Sequence, residues 1–222
     1  MKNISRFLAR LSSAALFVIS LSVTANDDTP KPLFVEGYAG ALSYQPGEEV
    51  ALHVSTSATK YSVEIVRLGF KEETVQHAKG IAGAEHPIPE NASSHGCGWP
   101  AGWKWKIPGD LRSGYYHVKL RVTDGGGKFI HRNTRTAEGS CFFVVRPARP
   151  GRDTKILLQL SANTYNAYNN WGGSSLYAYH GRAKLQGHRV SFGRPPRSQF
   201  GSWELHFVRW AERNGIRVDY AV

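Results

Sequence analysis

Between Leu33 and Arg146 the chain repeats one pattern six times: a short run of β-branched and aromatic residues, then a turn. LFVEGY, EVALHVS, YSVEIVRLG, GWKWKI, YYHVKLRVT and CFFVVR alternate or run apolar, with QPGEE, PENAS, PGD and TDGGG between them. Alternation at period two gives each strand one face for a core and one for water, a demand that a helix cannot meet. The spacing predicts an immunoglobulin-like antiparallel β-sandwich over residues 33–147. Tyr115 and Tyr116 follow PGDLRSG and open a strand, the position of a tyrosine corner in such folds. Alternatively the two straddle the sheet, one in and one out; either role is structural.

Past RPARPGRD, residues 146–153, the period changes. Two prolines and a glycine among charges support neither helix nor ladder, so a boundary is expected there. KILLQL, Lys155 to Leu160, is an unbroken apolar run of the kind found in strands buried on both faces of a parallel sheet. Farther on, SWELHFVRWAERNG reads as a helix with Trp203, Phe207, Trp210 and Ala211 on its core face, Ser202 as its cap and Gly215 at its end. IRVDYAV is then a second strand. Strand, helix and strand make one right-handed βαβ unit, and the fold class is β plus α/β. Two parallel strands with one helix leave most of the sheet open, so residues 148–222 are expected to be the start of a larger α/β domain, completed by further chain or by another molecule.

Residues 1–25 have the charged start (Lys2, Arg6, Arg10), short apolar centre (AALFVIS) and small-residue end (Val23-Thr24-Ala25) of a signal peptide, with 26–32 as linker. The apolar centre is too short to span a bilayer, so secretion to the periplasm or beyond is expected, with cleavage near Ala25. Cleavage removes three cations and no acids, and the formal charge of +11 falls to +8. Such a chain is drawn to anionic cell-surface polymers. Nucleic acid is excluded as a partner, because Arg146, Arg149 and Arg152 sit in the linker and no helix carries an ordered basic face. Cys97 and Cys141 either pair, a loop closure worth roughly 4 kcal/mol, or are separate buried thiols. His95 and Cys97 in SHGCG fall short of the four spaced ligands of a zinc site.

The densest concentration of site-forming residues is NTYNAYNNWGGSSLYAYH, Asn163 to His180, directly behind KILLQL. In open α/β sheets ligands bind beyond the carboxyl ends of strands, and this loop occupies such a position. Gly172 and Gly173 permit a tight turn or a close approach. Asn163, Asn166 and Asn169 offer amides for a turn or a ligand, beside Trp171 and His180. A free phenol titrates near pH 10, so a tyrosine acts as an anionic ligand at neutral pH only toward a strongly Lewis-acidic ion such as ferric iron. Core packing, sugar stacking and an interface compete with that role. His180, His188 and His206 lack a carboxylate or cysteine at ligand spacing. No GxSxG, HExxH or phosphate-binding glycine loop is present.

VEGYAGALSYQPGEEVALHVSTSATKYSVEIVRLG, HGCGWP, PGRDTKILLQLSANTYNAYNNWGGSSLYAYHGR, GHRVSFGRP and WELHFVRWAERNGIRVDYAV together resemble the large-subunit family of N,N-dimethylformamidase, over nearly everything after residue 33. The resemblance implies an amidohydrolase with one iron held by two tyrosines and a glutamate, in a domain like the glutamine-amidotransferase fold. It matches the first tyrosine to Tyr165, with Tyr168 as the rival, and the second to Tyr177. An insertion between these two in the dimethylformamidase proper is missing here, which leaves the substrate open. The family's glutamate and assisting histidine belong to a later HPE-like segment, and neither Glu204 nor Glu212 replaces them. The expectation is an inactive fragment that does not hold iron tightly, completed by a second copy or a second chain. The alternative is a secreted binding module that stacks carbohydrate on Trp99, Trp103, Trp105 and the tyrosine loop.

Overall fold

The computed structural model describes residues 32–124, 135–180 and 182–222, and these belong to one unit, Lys31–Val222. The expected signal peptide, residues 1–25, lies outside the described residues. The first part is β-rich: β1 (Val35–Ala39), β2 (Ser43–Tyr44), β3 (Glu49–Thr56), β4 (Lys60–Leu68), β5 (Glu72–Ala82), β6 (Ala101–Lys106), β7 (Gly114–Asp124) and β8 (Arg135–Val145), with the one-turn α1 (Ala92–His95) before β6. Strands β1, β3 and β6 form one sheet in that order, and β2, β8, β7, β4 and β5 form a second. All pairings are antiparallel except β2 with β8.

The two sheets share one core, because alternate residues of each turn toward the other. Val50, Leu52 and Val54 from β3 meet Val63 and Ile65 from β4, Val118 and Leu120 from β7, and Phe143 from β8. Tyr116 belongs to this core, and its hydroxyl donates to the carbonyl of Arg112 at 2.6 Å, the backbone bond expected of a tyrosine corner. Its neighbour Tyr115 faces the other way and is also buried, stacked on Phe142 at 5.0 Å and Phe200 at 4.0 Å. Thus both tyrosines are inside, one on each side of the sheet. Strand β5 was not expected. Its side chains are mostly exposed, the charged Glu72, Glu73 and Lys79 among them, as suits a sheet edge, and they carry little periodic signal.

The second part covers the outer face of the five-stranded sheet. It contains β9 (Leu157–Gln159), α2 (Ala162–Tyr168), α3 (Glu204–Arg213) and β10 (Asp219–Ala221), with β9 and β10 parallel. Leu160, Tyr165, Phe200, Leu205, Val208 and Tyr220 pack on Tyr115, Phe142 and Val144, which gives β7 and β8 a second buried face. At about 1.5–3 kcal/mol per fully buried large apolar side chain, this layer is a major part of the fold's stability.

Two expectations change here. Strand β9 is not covered on both faces: Ile156 and Leu157 are exposed, because β10 is its only neighbour among the described strands. Helix α3 is turned opposite to the expected face. Leu205, Val208 and Ala211 are buried, while Trp203, Phe207 and Trp210 are exposed. Ala211 lies at the seam of both stripes, so spacing alone fits either, and the narrower aliphatic face is the one that fits against Tyr115 and Phe142. Trp203, not Ser202, occupies the N-cap, without a side-chain cap bond. Gly215 does end the helix, at φ +72°, with its N–H on Glu212 O and the Ile216 N–H on Ala211 O.

The carboxylate of Glu212 fastens α3 to the first part. It pairs with Arg67, whose side chain is 5% exposed, and accepts the Phe70 N–H at 2.7 Å. A Cβ on Gly69 would press on this carboxylate and on the Arg67 guanidinium, so a larger residue there would have to displace the ion pair. Burial by itself would raise the Glu212 pKa, but the Arg67 guanidinium and the Phe70 N–H outweigh it and hold the carboxyl below its ordinary value of 4.5. Glu212→Gln should destabilise the protein by about 3 kcal/mol in urea unfolding at pH 7, because it leaves a buried guanidinium uncompensated. Since the folded pKa is depressed, the contribution is full above about pH 4.5 and is lost as the pH falls through the folded value. The gap between wild type and variant should therefore close in acid.

Candidate functional site

The segment read as a loop begins with a helix. Ser161 follows Leu160, and Tyr165 N–H bonds to Ser161 O at 3.0 Å as α2 starts. The helix lasts two turns and ends at Asn169, whose backbone is extended. Positions 165 and 168 lie three apart and look in different directions. Tyr165 points into the core, edge-on to Phe142 at 6.2 Å. Its buried hydroxyl lies beside Glu204 without a well-formed hydrogen bond, and Glu204 Oε2 lacks a partner too. Burial first, then the Glu204 charge, pushes this phenol far above its ordinary pKa.

Tyr168 stands instead beside Tyr177. The Leu176 N–H bonds to Ala167 O at 3.1 Å, folding the chain back along α2 so that residue 177 meets residue 168. The two rings stack with centroids 4.3 Å apart, and Tyr179 leans on Tyr177 at 5.5 Å. The Tyr177 pKa is raised by hydrogen bonding with the Tyr168 hydroxyl, and further by charge repulsion between the phenols. The two phenol rings are in direct contact. Ser175 supports the turn, its Oγ accepting the Tyr177 N–H at 3.1 Å.

A residue that the sequence did not single out organises the segment. Arg194 is fully buried and pairs with no carboxylate among the described residues. Nε donates to Ser191 O at 3.0 Å, Nη1 to Trp171 O and to Ser174 O at 3.4 Å, and Nη2 to Asn169 O at 2.9 Å and Asn166 Oδ1 at 3.3 Å. Burial lowers its pKa to about 10, which still leaves it charged at neutral pH. A planar fork of donors is what converging carbonyls require. The only sequence sign was an arginine in FGRPP near a loop rich in carbonyls and poor in acids.

The other expected residues serve this frame. Asn166 and Asn169 are buried, and the Asn169 amide bridges Pro195 O at 2.9 Å and the Trp171 N–H at 3.1 Å. Asn163 is exposed. The Trp171 indole N–H donates to Glu36 Oε1 at 3.0 Å, and its ring meets Trp99 edge-on at 5.8 Å. Gly172, at φ +79°, passes so close to α1 that a Cβ would stand 3.0 Å from Ser93 N. Gly173 also has a positive φ. The side chain of His180 lies outside the described residues, and His188 and His206 are exposed.

Cys97 and Cys141 are unbridged. They are buried in different clusters, Cys97 with Tyr38, Ala92 and Trp99, Cys141 in the core between the sheets, and burial pushes each thiol up to about 12. Trp99 is buried, and Trp103 and Trp105 pack partly against the core between the sheets, so these three form no exposed stacking row. Among the described residues no three His, Cys, Asp or Glu side chains cluster as metal ligands, and no helix is long and apolar enough to cross a membrane.

A model of the family described as N,N-dimethylformamidase beta subunit-like, C-terminal, matches residues 62–222. The chain belongs to that family, as the sequence motifs led us to expect. A search of curated proteins gave no match.

Removing the Arg194 fork should loosen the tyrosine segment. Arg194→Lys cannot serve four carbonyls and an amide at once, and each buried acceptor left unpaired costs about 1–3 kcal/mol. We expect Arg194→Lys to lower stability by at least about 2 kcal/mol. Amide exchange should rise most over residues 166–176, with less change in β4 and β7.

Proposed function

We propose that this chain carries the tyrosine half of an iron-dependent amide hydrolase, cleaving the C–N bond of a linear amide to an amine and a carboxylate. On this reading the β-rich part is an immunoglobulin-like sandwich, and the parallel pair with α3 begins a glutamine-amidotransferase-like α/β domain. The observation that carries the reading is the stacking of the Tyr168 and Tyr177 rings on each other, just beyond the carboxyl end of β9.

The donor chemistry fits a hard, highly charged ion. Phenols give up their protons near neutral pH only to such a centre, and two adjacent ones repel each other unless a cation lies between them. Tyr165, first in the sequence-based order, fits less well, since its hydroxyl is shut into the core against Glu204. The ligand pair is therefore Tyr168 and Tyr177. Bound there, iron would supply Lewis acidity toward the amide carbonyl or a water.

The chain's own residues hold the pair. Arg194 fixes the backbone of Asn169 and Trp171, the Leu176–Ala167 bond sets the spacing of the two phenols, and Ser175 orients Tyr177. On this reading a carboxylate ligand and a general base would complete the site. The family description as a beta subunit agrees with an assembly of more than one chain. Residues 1–25 support export, and the basic mature chain supports contact with anionic surface polymers.

Titrating the purified protein with chelated ferric iron, while following the visible tyrosinate charge-transfer band, tests the pair. Tyr168→Phe and Tyr177→Phe should each weaken binding at least tenfold and lose the band, and Tyr165→Phe should keep it. A band that survives Tyr168→Phe and vanishes with Tyr165→Phe would overturn the assignment.

A further inference from the structure

The parallel pair has two ends, and the tyrosine segment uses one. Because β9 and β10 run the same way, the chain leading into them, residues 149–154 and 215–219, gathers at the opposite end. There it meets the end of the β-rich part and frames a cleft of about 820 Å³. That volume falls within the range of roughly 300–1,000 Å³ common for small-molecule sites.

Six cations and six acids line the cleft, so its formal charge is balanced. Their commitments are not. Among the acids, Glu212 is taken by Arg67, Glu73 by Arg112 and Asp153 by Arg152, while Glu72 pairs with Lys119, which is not in the lining. Asp219 is buried and accepts the Gly151 N–H. Only Asp110 makes no ion pair or hydrogen bond among the described residues. On the cationic side, Lys71, Arg149 and Arg217 are exposed at the cleft and make no ion pair there. Deeper in, the buried Arg67 leaves Nε without an acceptor, and the buried Tyr220 hydroxyl behind it has no partner either. The charge is balanced, but hydrogen-bond donors without acceptors are in surplus, and of the three exposed cations Arg217 acts on Asp153 through space. Phe70, Leu111, Ile216 and Val218 supply an apolar wall.

We propose that this cleft binds a small organic oxyanion, a carboxylate or a phosphate ester with an apolar body, and that Arg149 and Arg217 hold the anionic group while Phe70 and Ile216 cover the body. The site is separate from the tyrosine pair, since it lies at the amino ends of the strands whose carboxyl ends lead to Tyr168. Arg and Lys together suit either oxyanion, and the planar fork of Arg makes the contact directional.

Calorimetric titration of the full chain with benzoate, phenyl phosphate and the neutral benzyl alcohol tests the site. The expected result is saturable one-site binding of benzoate or phenyl phosphate, whichever bears the preferred head, and none of benzyl alcohol. The double variant Arg149→Ala, Arg217→Ala should bind at least tenfold more weakly with an unchanged unfolding midpoint, as both side chains are exposed and unpaired. Arg209→Ala, on the exposed side of α3 away from the cleft, should bind like wild type. Three results would overturn the proposal: binding of neither anion, equal binding by the double variant, or equal weakening by Arg209→Ala, which would mean attraction to the basic surface in general.

Discussion

Strands β7 and β8 bury side chains on both faces, and the rest of the molecule is arranged around that fact. Toward the first sheet they send Tyr116, Val118, Leu120, Cys141 and Phe143; toward the second part they send Tyr115, Phe142 and Val144. A two-sheet unit alone would leave Tyr115 and Phe142 against water. Covering them requires a second layer, and α2, α3 and β10 form it. The same contact fixes where the tyrosine segment begins, because Leu160 and Tyr165 are anchored in that layer. Tyr165 is thus an anchor for α2, and Tyr168, one turn on, lies outside that cluster and against Tyr177.

The segment beyond α2 has no core of its own and is held by polar bonds converging on one cation. A buried guanidinium is costly unless its donors are satisfied, and Arg194 is satisfied by carbonyls of the very segment it shapes. Gly172 lets that segment lie against α1, and Trp171 carries the contact on to Trp99 and Glu36. The position of Tyr177 therefore depends on groups drawn from both parts of the chain. The frame holds the segment in place without a regular element.

Much of this was legible in the sequence. All six strand runs between Leu33 and Arg146 form strands, since alternation and turn residues are local signals. The parallel pair around a helix and the glycine that ends α3 were legible for the same reason. Strand β5 was missed because an exposed edge carries charges in place of a pattern. The two-turn α2 was missed because its asparagines and tyrosines have turn and strand preferences, which packing of Ala162 and Tyr165 overrides. The inverted face of α3 has another cause: aromatic residues weigh heavily in a hydrophobic pattern, yet Leu205 and Val208 fit against Tyr115 and Phe142 where a tryptophan would not. The density of tyrosines and asparagines in the segment was legible, and its buried asparagines and stacked tyrosines are what the fold makes of it. The role of Arg194 was not, since nothing local distinguishes a buried arginine from a solvated one.

By itself the sequence determined the strand content, the family and the short list of tyrosines, because each is written in local pattern or motif. Only the tertiary structure decided which tyrosine turns inward and which meets its partner. Positions 165 and 168 are equivalent in composition and differ by one helical turn. What separates them is the sheet face waiting on one side, and on the other a segment folded back through Ala167 and Arg194. Those are contacts between residues far apart in the chain, and no local signal encodes them.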